Sequence, residues 1–145
     1  MPRIVRNAQV VWEGNVARGQ GRITAATGAF ADLPYTLAAR ISSPEGKTSP
    51  EELLAAAHGG CFTMSLASEL VQAGTPPGRL VVDCQIVMDE VEGQGHQIVG
   101  SNVTVSVEVD GLDDASLGEA IAKADEGCPF SALLKRAGAE VRISL

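Results

Sequence analysis

Three thiols stand out in this 145-residue chain, and the neighbours of two of them suggest chemistry. Cys61 lies in "SPEELLAAAHGGCFTMSLASEL", with His58 three residues before it and Glu51 ten before it. Cys128 lies in "EGCPFSALLKR", directly before Pro129. Proline suits the first position of a helix, so Cys128 is expected at a helix start, where free N–H groups lower a thiol's pKa. His58 shares approximately the helix face of Cys61 and is placed to hydrogen-bond its thiol, although a histidine on an apolar helix is also a common core residue. Cys84 alternates with Leu80, Val82, Ile86 and Met88, which reads as a small buried hydrophobe.

Two cysteines sixty-seven positions apart, each on a helix, suit a pair in which one thiolate attacks a peroxide. The attacking sulfur becomes a sulfenic acid, which condenses with the second thiol to a disulfide. Spacing by itself does not bring the sulfurs together. A metal site built from Cys61, Cys128 and His58 lacks the CxxC or HxxxH spacing that such sites carry.

The element that must position Cys61 is a long helix. Ser49 is a candidate N-cap, Pro50 a first helical residue, and Glu52 completes a capping-box pattern, while Gly74, Pro76 and Pro77 form a stop. Glu51 and Glu52 place negative charge where the helix dipole favours it. Between these signals no continuous polar stripe remains, which predicts a helix buried on most sides. Gly59 and Gly60 each cost about 1 kcal/mol relative to alanine, so the missing side chains should serve close packing, or open space beside Cys61.

Around this helix the chain alternates in short strands. Residues 3–13 and 20–27 read as strands about a turn at Gly14 and Asn15, and 35–43 as a third, giving an antiparallel N-terminal sheet. Residues 80–91 and 101–111 read as two half-buried strands. Asp113 or Asp114 caps a helix to about Glu126, Pro129 opens a shorter helix to about Arg136, and residues 139–145 alternate as a final strand. This grouping predicts an α+β fold in one domain, 1–145, rather than a parallel βαβ sheet.

Composition narrows the function classes. A formal charge of −7, with no clustered Lys or Arg, argues against nucleic acid and anionic lipid as partners. The longest apolar run contains His58, two glycines and Thr63 and opens with two carboxylates, which argues against a membrane span. The first residues alternate and carry charge instead of forming a signal-peptide block, so a cytoplasmic, reducing location is expected.

Three stretches in order, "VWEGNVARGQG", "SPEELLAAAHGGCF" and "ADEGCPFSALLK", resemble the OsmC/Ohr family of osmotically inducible and organic-hydroperoxide-resistance proteins along nearly the whole chain. "WEGN" and the histidine of "AAHGGCF" are more similar to the OsmC branch. The resemblance implies an OsmC-like fold of antiparallel sheets around long central helices, in an intertwined homodimer with sites at the subunit interface. It also implies a thiol peroxidase of the oxidative and osmotic stress responses that reduces organic hydroperoxides, uses no cofactor or metal, and is recycled by a dithiol of the dihydrolipoyl kind. Within it, Cys61 matches the peroxidatic cysteine, Cys128 the resolving cysteine, and Glu51 the carboxylate that pairs with a catalytic arginine. Arg18 is the better match for that arginine and Arg40 the second, with His58 as a further accessory residue. Helix-end electrostatics alone favour Cys128 as the more acidic thiol, whereas the family gives first attack to Cys61. A non-catalytic protein of the same fold holding a small apolar ligand is the alternative function.

Overall fold

Gly14, in the left-handed region at φ 90°, begins the turn between the first two strands of a computed structural model that describes residues 1–145. Strands β1 (Ala8–Glu13) and β2 (Gln20–Ala25) pair antiparallel, with Trp12 opposite Gly21. Strand β3 (Leu33–Tyr35) pairs with the other edge of β2, completing the order β1-β2-β3. A Cβ at Gly21 would overlap the Tyr35 ring, so glycine is what lets that ring tilt against Trp12, at 5.5 Å between centroids.

The expected third strand, 35–43, is mostly helix instead. After Tyr35 the Thr36 hydroxyl accepts the Ala39 N–H at 3.1 Å and caps helix α1 (Leu37–Ile41). Leu37, Ala38, Ala39 and Arg40 are good helix formers, and the local cap outweighed the alternation that suggested a strand. Residues 1–50 form one compact unit and residues 51–145 a second.

In the second unit, helix α2 (Pro50–Gln72) is followed by a long hairpin of β4 (Arg79–Val91) and β5 (Gly95–Glu108), whose register shifts between Val87 and Met88. Helices α3 (Asp114–Gly127) and α4 (Pro129–Arg136) then carry the chain across to β6 (Glu140–Ser144), which pairs parallel to β5. A two-helix crossover brings the chain back in the same direction, which a tight hairpin cannot do. Strand β5 is therefore the central strand of β4-β5-β6. The architecture is α+β.

The core of this unit joins Phe62, Leu66 and Leu70 of α2 to Val103 and Val105 of β5, Ala120 and Ala124 of α3, and Cys128. The buried positions of α2 are His58, Gly59, Phe62, Leu66 and Leu70, a helical stripe of one face. Met64 stays 76% exposed and Val71 58% exposed, so α2 is not buried on most sides as its composition suggested. Its apolar residues exceed what one sheet and two helices cover. No helix is long and apolar enough to cross a membrane.

Candidate active site

Helix α4 has no intrahelical partners for its first N–H groups, and two of them meet sulfur. Cys128 is its N-cap, with φ −88° and ψ 110°, and its Sγ accepts the Ser131 N–H at 3.5 Å. The Phe130 N–H hydrogen-bonds the sulfur of Cys61, which comes from the middle of α2. The Cys61 and Cys128 side chains also adjoin each other, and both are free thiols. One helix end thus faces both sulfurs, although the sequence placed only Cys128 there.

The two thiols differ in surroundings. Cys128 is fully buried in the core cluster, whereas Cys61 is half-buried at its edge. Burial pushes the Cys61 thiol above the ordinary range, and its contact with Cys128 acts in the same direction by favouring the protonated form. The Phe130 N–H opposes both, because it favours the thiolate.

His58 is fully buried and engages both ring nitrogens. Nδ1 lies 2.7 Å from Ser101 Oγ on β5, and Nε2 lies 2.7 Å from Ser131 Oγ on α4. Its partners are therefore these two hydroxyls, both buried, and the ring faces β5 and α4. Burial holds its pKa below the ordinary histidine value, with Asp125 acting to raise it and Lys135 to lower it. Cys84 adjoins the same group, its Sγ 3.4 Å from Ser101 Oγ and 3.7 Å from His58 Nδ1. The sequence offered no signal for the two serines, since Ser101 and Ser131 lie 43 and 73 positions from His58.

The glycine pair divides its work. A Cβ at Gly59 would come 3.1 Å from Cys84 Cβ, so Gly59 serves close packing of α2 on β4. A Cβ at Gly60 would meet nothing, and Gly60 with Met64, Leu80 and Cys84 lines an open groove. Phe62, the residue after Cys61, is fully buried in the core.

Glu51 stands in the first turn of α2, ten residues before Cys61, or about 15 Å along the helix axis. The arginines belong to the N-terminal unit. Arg18 ends a turn in which its N–H is held by Asn15 Oδ1 at 2.9 Å, and its residue is exposed. Arg40 lies on α1 and, with Trp12, Val16, Tyr35 and Leu37, lines a mainly apolar cavity of about 370 Å³ within that unit. No group of three or more His, Cys, Asp or Glu side chains converges as a metal site.

Residues 43–144 match the OsmC family, described as "OsmC-like protein". The chain is 35% identical over 132 residues to a protein of Escherichia coli (strain K12) named peroxiredoxin OsmC, covering 91% of each. It is 32% identical over 85 residues to an organic hydroperoxide resistance protein of Xanthomonas axonopodis pv. citri, covering 58% of this chain and 57% of that one. Among solved structures, the organic hydroperoxide resistance protein OhrB of Bacillus subtilis superposes with a TM-score of 0.71 at 26% identity, over 96% of this chain and 97% of that one.

Proposed function

Because this chain belongs to the OsmC family, we propose that it is a two-cysteine thiol peroxidase that reduces organic hydroperoxides. The observation that carries the proposal is the adjoining pair of free thiols, Cys61 and Cys128, at the start of α4. The names of the relatives, a peroxiredoxin and organic hydroperoxide resistance proteins, support the same chemistry.

The more accessible Cys61 attacks first. Its thiolate attacks the terminal oxygen of R–O–OH, the O–O bond breaks, an S–O bond forms, and the alkoxide takes up a proton to leave as an alcohol. Sulfur is oxidised by two electrons and the peroxide reduced by two. Cys128 then attacks the sulfenic sulfur of Cys61, an S–S bond forms, and hydroxide departs with the Cys128 proton as water. A dithiol, of which a dihydrolipoyl group is one, returns two electrons and two protons and releases both thiols.

A peroxidatic thiolate needs a positive partner, since burial raises the Cys61 pKa. Of the two arginines proposed for this role, Arg40 has the added support of lining an apolar cavity able to take a hydroperoxide's organic group, whereas Arg18 sits in an exposed turn. Glu51 is assigned to orient the guanidinium. Each CH₂ buried is worth about 0.8 kcal/mol, which favours organic hydroperoxides over hydrogen peroxide. A homodimer is supported by the uncovered apolar surface of α2 and by β1, an edge strand exposed along its length with Val10 and Val11. A cytoplasmic location would keep the thiols reduced between turnovers.

The test is peptide-mapped mass spectrometry of the reduced protein before and after one equivalent of cumene hydroperoxide. A Cys61–Cys128 disulfide with Cys84 still reduced is expected. Thiols left reduced under conditions that oxidise a known thiol peroxidase would sink the catalytic reading.

A further inference from the structure

We propose that His58 is a positioning residue for disulfide formation: through Ser131 it fixes the first turn of α4, and with it the Cys128 sulfur, against the central strand β5. The proposal rests on the two-cysteine reading above and assigns His58 no contact with the peroxide.

The geometry joins the two thiols to a rigid support. Ser131 uses its hydroxyl toward His58 Nε2, at 2.7 Å, and its N–H toward Cys128 Sγ, at 3.5 Å. The residue before it, Phe130, gives its N–H to Cys61. The turn that touches both sulfurs is therefore anchored through one side chain, and the other side of the imidazole is held by Ser101 at 2.7 Å. Ser101 lies on β5, opposite Ile86 of β4 and Val141 of β6, so the anchor is paired on both sides.

A neutral imidazole suits this position. It offers one donor and one acceptor on opposite sides of a rigid ring, and so bridges two hydroxyls whichever tautomer it takes. Burial, with Lys135 acting in the same direction, keeps the ring neutral against the nearby Asp125. The Ser101, His58 and Ser131 side chains are all fully buried, so no solvent substitutes for a lost contact without a change in packing.

The step that needs this precision is the second one. Cys128–SH attacks the sulfur of Cys61–SOH, the S–S bond replaces the S–O bond, and water leaves. The sulfurs must close to about 2.05 Å along a restricted direction. A displacement of about 1 Å in a reacting group lowers a rate by around a hundredfold.

The test separates the two steps by single-turnover kinetics with cumene hydroperoxide, reading peroxide consumption and disulfide formation on the same samples. In His58→Leu and in Ser131→Ala the ratio of disulfide formation to peroxide consumption should fall by tenfold or more, with Cys61 sulfenic acid accumulating and trapped by dimedone. His58→Gln, whose amide retains a donor and an acceptor, should recover part of the loss. If His58→Leu does not fold, Ser131→Ala and Ser101→Ala carry the same comparison. An unchanged ratio, with only the melting temperature lowered, would reduce His58 to a core residue and overturn the proposal. Failure of the unsubstituted protein to form the Cys61–Cys128 disulfide would instead overturn the two-cysteine reading itself.

Discussion

The Phe130 N–H hydrogen-bonds the Cys61 sulfur across sixty-nine positions of chain, so the helix that begins after Cys128 also serves the other thiol. The sulfur of Cys61 is thereby placed between one contact that favours the thiolate and one, from Cys128, that favours the thiol.

Removing Cys128 should therefore make Cys61 more acidic. In Cys128→Ala the contact that raises the Cys61 pKa is gone while the Phe130 contact remains, so the pH midpoint for alkylation of Cys61 by iodoacetamide should move down. A midpoint that stays or rises would show that Cys128 is not what holds the proton on. In turnover assays Cys61→Ser should abolish peroxide reduction, and Cys128→Ser should leave one round of oxidation.

His58 makes stability depend on pH. Its folded-state pKa lies below the ordinary value of about 6.5, so below that pH the unfolded chain binds more protons than the folded one. Stability should fall as pH drops below about 6.5 toward the folded value, by at most about 1.4 kcal/mol per pH unit. Denaturant unfolding across that range should show the slope in the natural protein and a shallower one in His58→Gln.

The two glycines of α2 should respond differently to alanine. Gly60→Ala gains helix propensity without a clash and should stabilise by about 0.5–1 kcal/mol, whereas Gly59→Ala must push Cys84 and should do worse. Thermal melts decide it. Destabilisation by Gly60→Ala would locate a second surface packed on this face of α2.

Arg40→Met should lower kcat/KM for cumene hydroperoxide about a hundredfold or more, the usual loss when one charge-stabilising donor is removed. Arg18→Met should cost less than about tenfold. The reverse order would return the catalytic role to the turn arginine.

Much of this was legible in the residues because it is local. Pro129 marks a helix start and so makes Cys128 a cap, and Gly14, Gly74 and Asp113 mark turns and caps through chemistry confined to a few neighbours. What the sequence hid is what depends on distant partners. The i−3 spacing points His58 toward Cys61, yet its ring nitrogens are taken up by Ser101 and Ser131, which complete its hydrogen bonds from two other elements. The parallel direction of β6 and the meeting of Cys61 with Cys128 are likewise products of the α3–α4 crossover. The failure at 35–43 is different: alternation there was real, but a threonine cap one residue past Tyr35 outweighed it.

The sixty-seven positions between the thiols also have a mechanical meaning. A bond between them would close a loop of about half the chain, and such a cross-link restricts the unfolded ensemble by an amount worth about 4 kcal/mol. Oxidation by substrate would then leave the molecule harder to unfold, and reduction would loosen it again. The catalytic cycle would alternate between a tethered and an untethered polypeptide, and a protease offered both forms should digest the reduced one faster.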